Sequence, residues 1–205
     1  MSSREKILAT VKSNQPSPRE LPEIPMFDGA ADDLAPVFIT ALEAIGGAAY
    51  IVSGFDRIAT ILREQFPSVR RILSACPPLA AFAEAASSGA DPHTLESVDL
   101  AILPAHFAVA ENGSCWITEE QMVERVLPFI TQHLVLVISR QAVVANMHAA
   151  YERIAAIGGS YGFSTFIAGP SKTADIEQSL VLGAHGPMSL TVFLIDGQLS
   201  DAGYF

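Results

Sequence analysis

Two stretches of this chain set out groups able to handle charge and protons. The first is GPSKTADIEQSLVLGAHGP, Gly169 to Pro187. Gly169 and Pro170 end an apolar run, and Ser171, Lys172 and Thr173 follow. Backbone N–H groups, two hydroxyls and an ammonium at such a turn suit a carboxylate or a phosphate. The order differs from that of a Walker phosphate loop, which needs GK[ST] at its end. Asp175 is placed to cap a short helix, with Gln178 at capping-box spacing. His185 stands among glycines just before the next apolar run, open to a ligand, and imidazole titrates near pH 6.5. The second stretch is AENGS, which puts Glu111 at a turn between two apolar runs. A carboxylate there acts as base or nucleophile if its surroundings raise its pKa. Each group also has a plain structural use. Ser171, Thr173 and Asp175 are turn and cap types, Lys172 and Glu111 are surface charges, and a lone histidine commonly makes one structural hydrogen bond.

The flanking runs say what must position these groups. Residues 3–12 read as an amphipathic helix with Ile7, Leu8 and Val11 on one side, followed by the proline-rich NQPSPRELPEIP, which cannot continue it. Residues 1–31 are therefore expected to be an arm and linker, and 32–205 the domain. Asp32 or Asp33 caps a helix reaching about Ile45, stopped by Gly46-Gly47. AAYIVS, VRRILSA, HLVLVIS, FSTFIAG and MSLTVFLID read as strands, the last closing the sheet. FDRIATILREQF, PLAAFAEAASSG, 122–129 and ANMHAAYERIAAIGG read as helices. Alternating strands and helices with short joints predict a mostly parallel sheet covered on both faces. VDLAILPAHFAVAENGSCWITEE breaks that rhythm: FAVA and SCWIT around Glu111-Asn112-Gly113 predict an inserted β-hairpin. In such sheets, loops at strand carboxyl ends form the ligand crevice, which is where the Gly169 stretch is expected.

The chain has 205 residues, of which half are hydrophobic and 17% charged, enough for a full core. Its formal charge of −10 disfavours nucleic acid and anionic membranes as partners. No apolar run reaches the length of a membrane span, and the N-terminus lacks a signal-peptide core, so a cytoplasmic protein is expected. The two cysteines, Cys76 and Cys115, form no CxxC, and no histidine spacing marks a metal site. Redox chemistry then needs a borrowed cofactor or a partner.

The hairpin segment, the HLVLVIS strand and above all GPSKTADIE…GAHGP resemble the LUD-domain family, in its lactate-utilisation protein C branch. The likeness runs from about Leu34 to Asp196. Gly169, Pro170, Ser171, Thr173, Asp175, Glu177, His185 and Gly186 match the family string one by one. Asn112 stands where the family usually has threonine or glycine, and His106 where it often has an acidic residue. The resemblance implies a three-layer α/β/α fold similar to the sugar-phosphate isomerase and CoA-transferase group. It also implies a part in oxidising L-lactate to pyruvate beside two companion proteins that carry iron–sulfur clusters, with no cofactor bound by this chain alone.

Three readings follow. In the first, Gly169–Pro187 and the Glu111 turn converge at one sheet edge of a lactate-oxidising subunit. There Gly169, Ser171, Lys172 and Thr173 hold a small anion, and Glu111 or His185 handles protons. In the second, the chain is an independent enzyme on CoA thioesters or sugar phosphates, with Glu111 as nucleophile, since Glu-Asn-Gly resembles the CoA-transferase glutamate turn. In the third, the conspicuous loop is a non-catalytic surface that binds the companions.

Overall fold

A computed structural model describes residues 2–22, 25, 32–89, 91–173 and 180–197. In chain order the elements are α1 (Ser3–Ser13), α2 (Ala35–Ala44), β1 (Ala48–Val52), α3 (Phe55–Gln65), β2 (Ile72–Ser74), β3 (Glu84–Ala85), β4 (Leu100–Pro104), β5 (Phe107–Val109), β6 (Ser114–Thr118), α4 (Glu119–Met122), α5 (Leu127–Ile130), β7 (His133–Ser139), β8 (Val143–Val144), α6 (Met147–Ile157), β9 (Ser164–Ile167), β10 (Lys172–Thr173), β11 (Val181–Leu182) and β12 (Ser189–Ile195).

Strands β4, β7 and β12 are near-continuous apolar runs because both of their faces are covered. They lie at the centre of a six-stranded parallel sheet, ordered β1-β12-β7-β4-β2-β3. Alternation along the strands divides the core in two. Leu100, Ile102, Val135, Val137, Phe193 and Ile195 face α3 with Ile58, Ile61 and Leu62. Leu103, Leu134, Leu136, Leu190, Val192 and Leu194 belong to the opposite cluster with Phe38 and Leu42 of α2.

That second side also holds a four-stranded sheet, β8-β5-β6-β9, so the predicted hairpin is the centre of a sheet of its own. β5 and β6 are antiparallel, β9 adds antiparallel to β6, and β8 runs parallel to β5. Phe107, Trp116 and Phe166 are register partners and line one face, with Tyr151 of α6 against Phe166. The architecture is the expected three-layer arrangement, with one outer layer mixing helices and sheet.

Four local expectations change. MSLTVFLID does not close the sheet: β12 sits inside it, paired over seven residues with β7 and over five with β1. A strand buried on both faces needs a hydrogen-bonded neighbour on each side. FSTFIAG joins the second sheet rather than the parallel one. PLAAFAEAASSG is not a helix but a helical turn at Pro77–Leu79 followed by the edge strand β3. Its only large apolar residues, Leu79 and Phe82, give no helical stripe, while Leu73 and Ser74 offer strand pairing. The 122–129 helix breaks into α4 and α5. Pro128 has no N–H to continue it, and Val123 (φ 63°) turns the chain with Glu124 N–H donating to the Met122 carbonyl at 2.7 Å.

Helix α1 is capped by a Ser2–Glu5 capping box and buries none of its residues; Ile7, Leu8 and Val11 are all exposed. Among the described residues no helix is long and apolar enough to cross a membrane.

Two glycines fix the layers to each other. Gly113 (φ 68°) lies so close to α2 that a Cβ would sit 2.7 Å from the Leu42 Cα and backbone nitrogen. At Gly169 (φ 69°) a Cβ would sit 3.0 Å from the Ile45 carbonyl oxygen. Gly89 (φ 82°) has equal strain but open space around it. Gly113→Ala should therefore destabilise the fold by about 2–4 kcal/mol in denaturant titrations, and Gly89→Ala by about 1 kcal/mol. Equal effects would refute the close approach of hairpin and helix.

His133 opens β7 beneath Phe66, with its Nδ1 2.8 Å from the Ser189 hydroxyl. Burial lowers its pKa, against the smaller opposing pull of Asp99. The folded state thus takes up a proton less readily than the unfolded chain, whose histidines titrate near pH 6.5. Stability should be fully present above that value and be lost as pH falls through the window below it. Thermal melts of His133→Asn should show a shallower fall between roughly pH 6.5 and 5 than the parent chain.

Candidate functional site

The Gly169 stretch is folded back on itself. Ser171 N–H donates to the Pro187 carbonyl at 2.8 Å, and Gly183 N–H to the Ser171 carbonyl at 2.9 Å. β10 and β11 pair Lys172 with Leu182 and Thr173 with Val181. Gly186 lies against Ser171, where a Cβ would be 3.1 Å from the serine Cβ. Gly169 and Pro170 are buried, Ser171 and Thr173 partly so, and Lys172 and His185 exposed. Lys172 Nζ donates to the Ile45 carbonyl at the end of α2. An ammonium at a helix C-terminus satisfies an orphan carbonyl and opposes the negative end of the dipole. Asp175, Glu177 and Gln178 lie outside the described residues.

The Glu111 turn reaches the same end of the second sheet. Extending the β6–β9 register by two residues sets Gly113 opposite Gly169, and both glycines rest on the last turns of α2. The backbones of the two stretches thus meet, but the charged groups point to different helices. The Glu111 carboxylate accepts the Met147 N–H at 3.0 Å, at the positive end of α6, where Asn146 also accepts from Ala149 N–H. Asn112 Oδ1 takes the Ser114 N–H and hydroxyl, which closes the turn. The loop follows the carboxyl end of β9 but leads into β12, so it stands at the amino edge of the parallel sheet, not the carboxyl edge.

The carboxyl edge holds a different feature. A cavity of about 550 Å³ is lined by His106, Ser139, Gln141, Ala142, Arg153 and Ile157. His106 follows β4, Ser139 ends β7, Gln141 precedes β8, and Arg153 and Ile157 come from the second half of α6. The His106 ring lies tilted against Trp116 at 4.6 Å, Trp116 stacks on Phe107 at 5.4 Å, and the Arg153 guanidinium lies 5.3 Å above Phe107. His106 Nε2 is 3.3 Å from the Thr118 hydroxyl and its Nδ1 3.4 Å from Gln121 Nε2, while Thr118 donates to Gln121 Oε1. An amide N–H facing Nδ1 leaves the ring proton on Nε2. Burial, ahead of the opposing Glu120 charge, lowers the His106 pKa and keeps the imidazole neutral. Nothing in sequence spacing marked this cluster. Its one signal was His106 itself, a departure from the family pattern.

The two thiols are far from reactive. Cys76 is buried and pushed up to about 12, and Cys115 is fully buried and pushed higher still. Among the described residues no three His, Cys, Asp or Glu side chains are arranged to hold a metal ion.

The LUD domain profile matches residues 79–195. Lactate utilization protein C of Bacillus pumilus is 32% identical over 107 residues, 50% of this chain and 45% of that protein. The Shouchella clausii protein of the same name is 30% identical over 104 residues, 49% of this chain and 45% of its own length. In the Geobacillus kaustophilus protein the match is 26% over 172 residues, 80% and 69% of the two chains. The chain thus spans about half the length of the first two of these relatives. The crystal structure of a DUF162 family protein from Deinococcus radiodurans superimposes with a TM-score of 0.60 at 16% identity, covering 79% of this chain and 96% of that one, which shows a shared fold. The matched profile covers both the hairpin and the Gly169 stretch and more than half of the chain, and the protein belongs to the LUD domain family.

Proposed function

We propose that this chain is a subunit of a system that oxidises L-lactate to pyruvate, working with companion proteins that carry iron–sulfur clusters. The observation that carries the reading is the run of relatives named Lactate utilization protein C, matched through the domain that holds the Gly169 stretch. The reaction removes two electrons and two protons from lactate, and the electrons pass to an acceptor on a partner. The neutral, buried state of Cys76 and Cys115 supports that division of labour, because thiolates are what bind clusters.

Two roles for the loop surface are separable. In one, Gly169, Ser171, Lys172 and Thr173 hold a small anion, Glu111 or His185 handles protons, and Pro170, Asp175, Glu177 and Gly186 shape the loop. In the other, this surface docks a companion subunit. Specific observations favour docking. Lys172 and Glu111 each already serve a helix end. Phe129, Leu182 and Met188 are large, apolar and exposed around the loop, 41%, 51% and 46% accessible. Phe129 and Met188 lie next to Gly186 and Gly183 respectively. Apolar side chains grouped beside a polar rim are what a protein interface presents.

Deleting the chain from a host that grows on L-lactate should abolish that growth; unchanged lactate oxidation would overturn the reading. Co-purification with the companions separates the two roles. With docking, Leu182→Asp and Met188→Asp should weaken association at least about tenfold, the scale of one buried apolar contact. If association survives those changes while Lys172→Ala or His185→Ala lowers lactate oxidation, the loop acts on the anion instead.

A further inference from the structure

The cavity at the carboxyl edge is separate from the Gly169 loop, at the opposite end of the second sheet. Among the described residues that line it, Arg153 is the sole charged one. Two other arginines are also partly buried, and both have carboxylates: Arg71 pairs with Glu84, and Arg140 with Asp33 and Asp196. No carboxylate among the described residues pairs with Arg153. A sheltered guanidinium held over an aromatic ring, without a counter-ion, is a site prepared for an anion. His106 adds no charge, being locked to Thr118 and Gln121. The described lining therefore offers one positive charge, which matches a monoanion better than a phosphate dianion. Ser139 and the exposed amide of Gln141 supply further hydrogen-bonding groups, and Ala142 and Ile157 supply an apolar wall. The position, beyond the ends of β4 and β7, is where open parallel sheets bind ligands.

We propose that this cavity binds a small monocarboxylate of the 2-hydroxy- or 2-oxo-acid class. The carboxylate sits on the Arg153 guanidinium, the neighbouring oxygen meets Ser139 or Gln141, and the short apolar end lies against Ala142 and Ile157. The choice of 2-hydroxy and 2-oxo acids among short carboxylates rests on the lactate-utilisation reading; the anion site itself rests on the cavity alone.

The test is titration of the full chain with L-lactate, pyruvate, acetate and inorganic phosphate at fixed ionic strength. Calorimetry reads it, together with the fluorescence of Trp116, the one tryptophan, whose ring packs against His106. L-Lactate or pyruvate should bind saturably and more tightly than acetate or phosphate. Arg153→Gln should weaken that binding about 10- to 100-fold, as loss of a charge-assisted hydrogen bond does. Arg63→Gln, an exposed arginine over Phe82 in the opposite layer, should leave it unchanged. Gln141→Phe, at an exposed rim position, should block the mouth without touching the core, and covers the case in which Arg153→Gln fails to fold. Absence of saturable binding, tighter binding of phosphate, or binding that survives both Arg153→Gln and Gln141→Phe overturns the proposal. Carboxylate binding that depends on Arg153, in a chain whose deletion spares lactate oxidation, supports the cavity and overturns the subunit reading. Lactate oxidation that needs the chain while the chain binds no carboxylate overturns the cavity and leaves the subunit reading standing.

Discussion

The end of α2 is the point on which the two sheets are assembled. Leu42 and Ile45 present bare backbone to Gly113 and Gly169, and at neither contact is there room for a side chain. Close packing of this kind excludes water and fixes distance more tightly than side-chain contact can. Through it the hairpin turn, the start of the Gly169 loop and the beginning of β1 share one frame. Lys172 reinforces the joint by donating to the carbonyl that ends the helix.

Fixing one end of the second sheet also sets the other. β5 and β8 run away from the cavity and toward α2, and α6 runs back, so that its second half returns to the end where β5 begins. Glu111 helps by accepting from the first turn of α6, which sets the direction of that return. Arg153 is thereby carried over Phe107 and toward His106. The polar loop and the cavity lie at opposite ends of one small sheet and at opposite edges of the large one. The proposed docking surface and the proposed anion cavity therefore share no residues.

The sequence made the periodic features legible. The runs that became β4, β7 and β12 are short and apolar, as buried strands are, and the Ile58, Ile61, Leu62 spacing fits a helix face. Glu111-Asn112-Gly113 predicted a turn, because Asn112 closes it and Gly113 takes positive φ. The chemical interest of the Gly169 stretch was visible from residue types alone. Alanine-rich residues 78–89 misled because composition favoured a helix while the free edge of β2 claimed the backbone.

Residue order by itself marked most of the strands and helices, the turn at Glu111-Asn112-Gly113, and a core sufficient for a layered α/β fold. Those properties follow from local sterics and periodicity, which are read along the chain. Tertiary structure alone decided that β12 enters the middle of the sheet, that β9 completes a second sheet, and that Lys172 and Glu111 serve helix ends. It also brought together His106, Ser139, Gln141 and Arg153, which no spacing rule connects. These outcomes depend on which backbone groups remain unpaired, and which charges remain without counter-ions, once distant segments have packed.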